Sequence, residues 1–156
     1  MPGGGIAQLL RDSPAFAPTI NAGLAAQGVT PGSTLYEQFF RDAQTAVDAG
    51  DPVNFIAQAT SLHPVHLIQV VGSTTSLPDQ VVPNSATQRL ITASAYGADV
   101  LTRIPAPAAP GVVTSGAGTP PGLRAYVNFL AGDHGSIIDP TASAAVTAEI
   151  DRKSVV

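Results

Sequence analysis

Near residue 63 the hydrophobic pattern changes its period, and that change constrains the fold more than any other feature of the chain. Upstream of it, apolar side chains recur at helical spacing. Tyr36, Phe39, Phe40, Ala43 and Val47 share one face, and Gly50-Asp51-Pro52 ends the run. Thr34 with Glu37 reads as a capping box, hydroxyl and carboxylate each satisfying an orphan amide. Shorter helices are expected over 6–10, closed by Asp12-Ser13-Pro14, over about 19–27 with Gly28 as the stop, and over about 53–59. Downstream, Val65-His66-Leu67-Ile68-Gln69-Val70-Val71 is a β-branched run of strand length, stopped by Gly72. A helix capped by Asn84 or Ser85 is expected to reach about Tyr96, with Gly97 just past its end. Further strands are expected over 100–104 and 124–130, and a last helix from Asp139-Pro140 to Ile150. Residues 105–122, with five prolines and four glycines, read as an irregular excursion. Strand, helix, strand, loop, strand, helix is the rhythm of an α/β sheet. The chain therefore divides into a helical segment, 1–62, and an α/β portion, 63–156.

Composition narrows the functional classes. A chain of 156 residues with 44% hydrophobic and 12% charged residues can bury a real core and is unlike a disordered segment. Seven basic residues, scattered from Arg11 to Lys153 in a chain of net charge -4, form no patch able to neutralise a phosphate backbone, so nucleic acid is not an expected partner. No apolar run reaches the roughly 18 residues of a membrane span, so no transmembrane segment is expected. The start, Met1-Pro2-Gly3-Gly4-Gly5, lacks the basic and apolar stretches of a signal peptide. Without cysteine there is no disulfide, thiolate nucleophile or cysteine-ligated zinc. His63 and His66 flank Pro64 at a spacing that sends extended side chains to opposite faces, which argues against a metal site. The early glycines form no phosphate loop, because G-x-x-x-x-G-K-[ST] is absent and the single lysine is Lys153.

Two short segments carry the chemistry. Leu77-Pro78-Asp79-Gln80-Val81-Val82-Pro83-Asn84 follows the strand at 65–71, and Gly132-Asp133-His134-Gly135-Ser136 follows the strand at 124–130. Functional groups in open α/β sheets gather beyond the carboxyl ends of strands. An aspartate and a histidine on neighbouring loops there suit a proton relay, in which imidazole takes a proton from a nucleophile while the carboxylate holds its tautomer. Asp79 and His134 are the candidate catalytic residues. Asp133 is a rival acid, but its adjacency to His134 points it elsewhere; Asp139 is better explained as a helix cap. Pro78-Asp79 is also ordinary turn chemistry, and His134 also suits a loop histidine satisfying local hydrogen bonds. Tyr36, Phe39 and Phe40 suit ordinary core packing or, alternatively, an acyl-binding groove.

The order Asp79 then His134, each after a strand, resembles the distal half of an α/β-hydrolase triad, whose chain order is Ser…Asp…His. The D-x-V-V-P and G-D-H-G-S segments resemble those of bacterial lipases and esterases of this fold. The likeness extends to the extracellular virulence-factor lipases, in which a P-G-G-G turn leads into helices as Pro2-Gly3-Gly4-Gly5 does here. The resemblance covers essentially the whole chain. It implies an α/β class, a partial α/β-hydrolase fold with residues 1–62 as a helical cap, no cofactor, an ester or lipid substrate, and a secreted or cell-surface location. The sequence departs from the family at one point: Gly-x-Ser-x-Gly occurs nowhere, and Ser73, Ser115 and Ser136 lack its framing glycines. The resemblance therefore places the nucleophile and oxyanion hole on an upstream part of the same polypeptide, and the chain alone is expected to be inactive. The alternative is a noncatalytic α/β binding or interaction module.

Overall fold

A computed structural model describes residues 3–63, 65–95, 125–139, 141–143 and 146. Five α-helices and two strands are found among them: α1 Ile6–Asp12, α2 Ala17–Ala25, α3 Thr34–Val47, α4 Ile56–Leu62, β1 His66–Val70, α5 Asn84–Ala93 and β2 Ala125–Phe129. The strand expected over 100–104, the excursion over 105–122, Ser115, and most of the helix expected over 139–150 lie outside the described residues.

Of the five described α-helices only α3 starts on a side-chain cap of its own, Ser33, whose hydroxyl accepts the Tyr36 amide at 3.2 Å. The cap is thus one residue earlier than the expected Thr34, and Glu37 does not close a box. Glu37 instead takes both prongs of the Arg11 guanidinium, at 2.7 and 2.9 Å, which ties α3 to α1. Neither Asn84 nor Ser85 caps α5. Pro83 holds the extended N-cap position, Asn84 Nδ2 donates to the Val71 carbonyl at 3.4 Å, and Ser85 Oγ donates to Asp12 at 2.8 Å. The far end of α5 also stops short of Tyr96. Thr60 Oγ1 of α4 accepts the Ala95 amide at 2.7 Å, drawing the chain out of the helix after Ala93. The stretch expected to be one helix over 53–59 is a 3₁₀ turn at Pro52–Asn54 followed by α4, because Asp51 caps the Val53 amide.

β1 and β2 pair in parallel, His66 opposite Ala125 through Val70 opposite Phe129. One face of the pair packs Ile68, Val70, Val127 and Phe129 with Val146. On the other, Leu67 and Tyr126 pack on Leu90 and Ile91 of α5 and Ile56 of α4. Burial on both faces explains why β1 is largely apolar between His66 and Val70, with Gln69 the polar residue inside it. A third core, Ala7, Tyr36 and Phe40, joins α1 to α3, with Ile20 and Leu24 of α2 against it. Gly4 permits the close approach of the chain start to α5: a Cβ there would lie 2.6 Å from Leu90 Cδ2.

Candidate functional site

Beyond β1 the chain turns at Gly72, whose positive φ of 76° needs glycine and where a Cβ would fall 2.6 Å from the Pro78 nitrogen. The turn brings Asp79 back over the strand end, its amide donating to the Val70 carbonyl at 3.1 Å. The Asp79 side chain is 0% exposed. Its Oδ1 accepts the amides of Val81 and Val82 at 2.8 and 3.0 Å, so the carboxylate is clamped by its own loop. From the turn after α1, Ser13 Oγ donates to the Val81 carbonyl at 2.7 Å, and the Ala15 amide donates to the Gln80 carbonyl at 2.9 Å, bracing that loop from outside.

His134 opens a 3₁₀ turn, His134–Ile137, beyond β2. Its Nδ1 lies 3.0 Å from the free oxygen of Asp79, Oδ2, across 55 residues of sequence. An ionised carboxylate accepts only, so the proton between them belongs to Nδ1, which leaves Nε2 as the basic nitrogen. The imidazole is 40% exposed. It borders a cavity of about 470 Å³ that Leu77, Pro78, Val81 and Gly132 also line. A clamped, buried carboxylate and a half-open imidazole form a unit that can accept a proton at Nε2 and stabilise the resulting imidazolium.

The structure thus brings together the two residues singled out from the sequence and sets the other candidates aside. Asp133 is the N-cap of the 3₁₀ turn and is occupied there: its amide donates to Ser136 Oγ at 2.8 Å, and that hydroxyl donates back to Asp133 Oδ1 at 3.2 Å. Ser136 is consequently buried and engaged. Ser73 pairs with Thr75 on an exposed turn. Asp139 accepts the Thr141 amide and hydroxyl at 2.8 and 2.6 Å, which pull its carboxyl below the ordinary range. The acyl-groove reading of the aromatic stripe does not match the geometry. Tyr36 and Phe40 are core, Tyr36 donating its hydroxyl to Asn21 at 2.8 Å, and none of the three aromatics borders the cavity at His134. His63 ends α4 and is exposed, whereas His66 lies on β1. Among the described residues no group of three or more His, Cys, Asp or Glu is arranged to hold a metal. No helix among them is long and apolar enough to cross a membrane.

No known family, curated protein or solved structure matches this chain. The reading of the site therefore rests on its geometry and on the motifs themselves.

Sequence reasoning missed four contributors. Leu77 and Val81 were legible as apolar neighbours of Asp79, a signal that alone marks a cavity wall weakly. Ser13 left no signal at all, since its partners are 67 and 68 residues away. Asp51 was read as a helix stop, yet it is fully buried and accepts the Gly5, Ile6 and Val53 amides and Gln44 Nε2, all at 2.8 to 3.0 Å.

Proposed function

We propose that this chain supplies the acid and base of a serine carboxylic-ester hydrolase of α/β-hydrolase type, its nucleophile lying on an upstream part of the same polypeptide. The observation that carries the reading is the 3.0 Å contact between His134 Nδ1 and Asp79 Oδ2, with Oδ1 clamped by two amides. In this mechanism a serine hydroxyl attacks the ester carbonyl while His134 Nε2 takes its proton. The imidazolium, held by Asp79, then protonates the departing alcohol, and water repeats the sequence on the acyl-enzyme. Leu77, Pro78 and Val81 around the cavity favour an apolar acyl chain. No cofactor enters these steps.

The test compares the chain alone with the polypeptide extended upstream to include a Gly-x-Ser-x-Gly segment, using the p-nitrophenyl ester of a medium-chain fatty acid. The extended protein is expected to turn over, and the chain alone is not. In the extended protein His134→Ala and Asp79→Asn should each lower kcat on the order of 10³-fold or more, the asparagine because it favours the wrong imidazole tautomer. Undiminished turnover in His134→Ala would remove the relay. A second reading, a binding module, is favoured by the exposure of Leu77 (70%) and Ile138 (87%) around the same loops. It would gain if the extended protein bound the ester without hydrolysing it.

A further inference from the structure

The pairing of β1 with β2 is poorly determined by burial alone. Apart from the side chains of Gln69 and Asn128 and the Tyr126 hydroxyl, both faces are built from apolar residues, Leu67, Ile68, Val70, Val127 and Phe129 among them, so an apolar pattern alone distinguishes neighbouring registers weakly. Gln69 and Asn128 are the two amide side chains buried on these strands. They are register partners, and Gln69 Nε2 donates to Asn128 Oδ1 at 2.9 Å. The chain of bonds continues: the Asn128 side chain hydrogen-bonds the Tyr126 hydroxyl, which also accepts Gln88 Nε2 of α5 at 2.7 Å. Burial pushes the Tyr126 phenol up to about 12, with the Asn128 and Gln88 bonds opposing, so it stays a neutral member of the chain.

We propose that the Gln69–Asn128 pair is the register lock that brings Asp79 against His134. A slip by one residue displaces a strand end by about 3.3 Å, and a slip by two by about 6.6 Å. Either would strand two buried amides, and either exceeds what a 3.0 Å hydrogen bond tolerates. The loops leave the strands at the locked end: Val71 donates to the Phe129 carbonyl at 2.8 Å, and Asp79 donates to Val70 at 3.1 Å. Displacement there is therefore passed directly to both side chains. Gln69 Oε1 has no partner among the described residues although the residue is 2% exposed. An apolar residue would avoid that loss, so stability alone does not account for glutamine at this position. Gln69 and Asn128 are positioning residues. The inference rests on the Asp79–His134 contact, and it deepens the proposed function without requiring turnover.

Two variants of the full chain test it by NMR. Amide contacts between Val71 and Phe129 report register, and the His134 imidazole nitrogen shifts report the tautomer held by Asp79. Gln69→Leu/Asn128→Leu replaces both amides by apolar side chains and removes the lock. The expected result is a folded protein in which the wild-type cross-strand contacts are lost or split into several sets, with the His134 shifts moving to those of an unrestrained ring. The swap Gln69→Asn/Asn128→Gln restores an amide pair and should recover one set of contacts and the wild-type His134 shifts. A folded double-leucine protein with unchanged contacts and shifts overturns the proposal. If that variant does not fold, the swap decides: recovery supports the lock, and loss of the contacts or of the fold overturns it. A wild-type chain whose His134 shifts already match an unrestrained ring would sink the proposed function and the positioning of Asp79 with it, while loss of the cross-strand contacts in the leucine variant would then support the register lock alone.

Discussion

Asp79 and Asp51 are both buried carboxylates clamped by backbone amides, and the difference between them is one oxygen. Asp51 spends both, Oδ1 on Gly5 and Val53 and Oδ2 on Ile6 and Gln44, whereas Asp79 spends only Oδ1 on its loop and keeps Oδ2 for His134. The first is a pin, and the second is the acid of the relay proposed above. Burial by itself would raise the Asp51 carboxyl, but the amides of Val53, Ile6 and Gly5 and the Gln44 side chain outweigh it and hold its pKa below the ordinary range. A folded-state pKa lower than the unfolded one means that the stabilisation is complete above the ordinary carboxylate range and lost as pH falls through the lowered value. Wild type should therefore lose stability below about pH 4, and Asp51→Asn should lose less over that window. At neutral pH Asp51→Ala is expected to cost roughly 3 kcal/mol, since it leaves several amide donors of the α1 start without their acceptor. Denaturant unfolding at a series of pH values checks both statements; identical acid profiles for wild type and Asp51→Asn would show that the carboxylate is not the pin.

Among the elements, the helices and the two described strands were legible because their signals are local. Tyr36, Phe40 and Ala43 repeat at helical spacing, and the run from His66 to Val70 is apolar enough to be a strand buried on both faces. The ends were less legible, because they were settled by partners distant in sequence. Glu37 left its expected capping role for Arg11, 26 residues away, and Thr60 draws in the Ala95 amide, 35 residues away, just past the end of α5 at Ala93. With Ser33 as the cap of α3, Ser33→Ala should cost about 1 kcal/mol of stability, while Thr34→Ala should change it by under about 0.5 kcal/mol. Thermal unfolding of the two variants side by side distinguishes them; equal losses would return the cap to Thr34.

At the scale of the molecule, the helical segment and the strand-bearing portion are joined by hydrogen bonds to α5 and to the Asp79 loop. Gly4 donates to Ala86 at 3.1 Å, Ala15 to Gln80 at 2.9 Å, Ser13 to Val81 at 2.7 Å, and Ser85 to Asp12 at 2.8 Å. The division at residue 62 is one of composition and period, while the contacts cross it. Tyr36 belongs to the helical core and Tyr126 to the strand pair. Their ring resonances should therefore lose intensity at the same denaturant concentration, in one cooperative transition. Two separated midpoints would show the helical segment to be an independent unit. What the sequence alone determined is the kind of element at most of the described positions, and it marked Asp79 and His134 as candidates, because periodicity, Gly and Pro punctuation, and titratable groups beyond strand ends are short-range properties. Only the tertiary structure decided that Asp79 meets His134 and Asp133 does not, that Tyr36 and Phe40 are core, and that Ser13 and Asp51 hold the frame. Those outcomes depend on hydrogen bonds and packing between residues tens of positions apart, which no local pattern encodes.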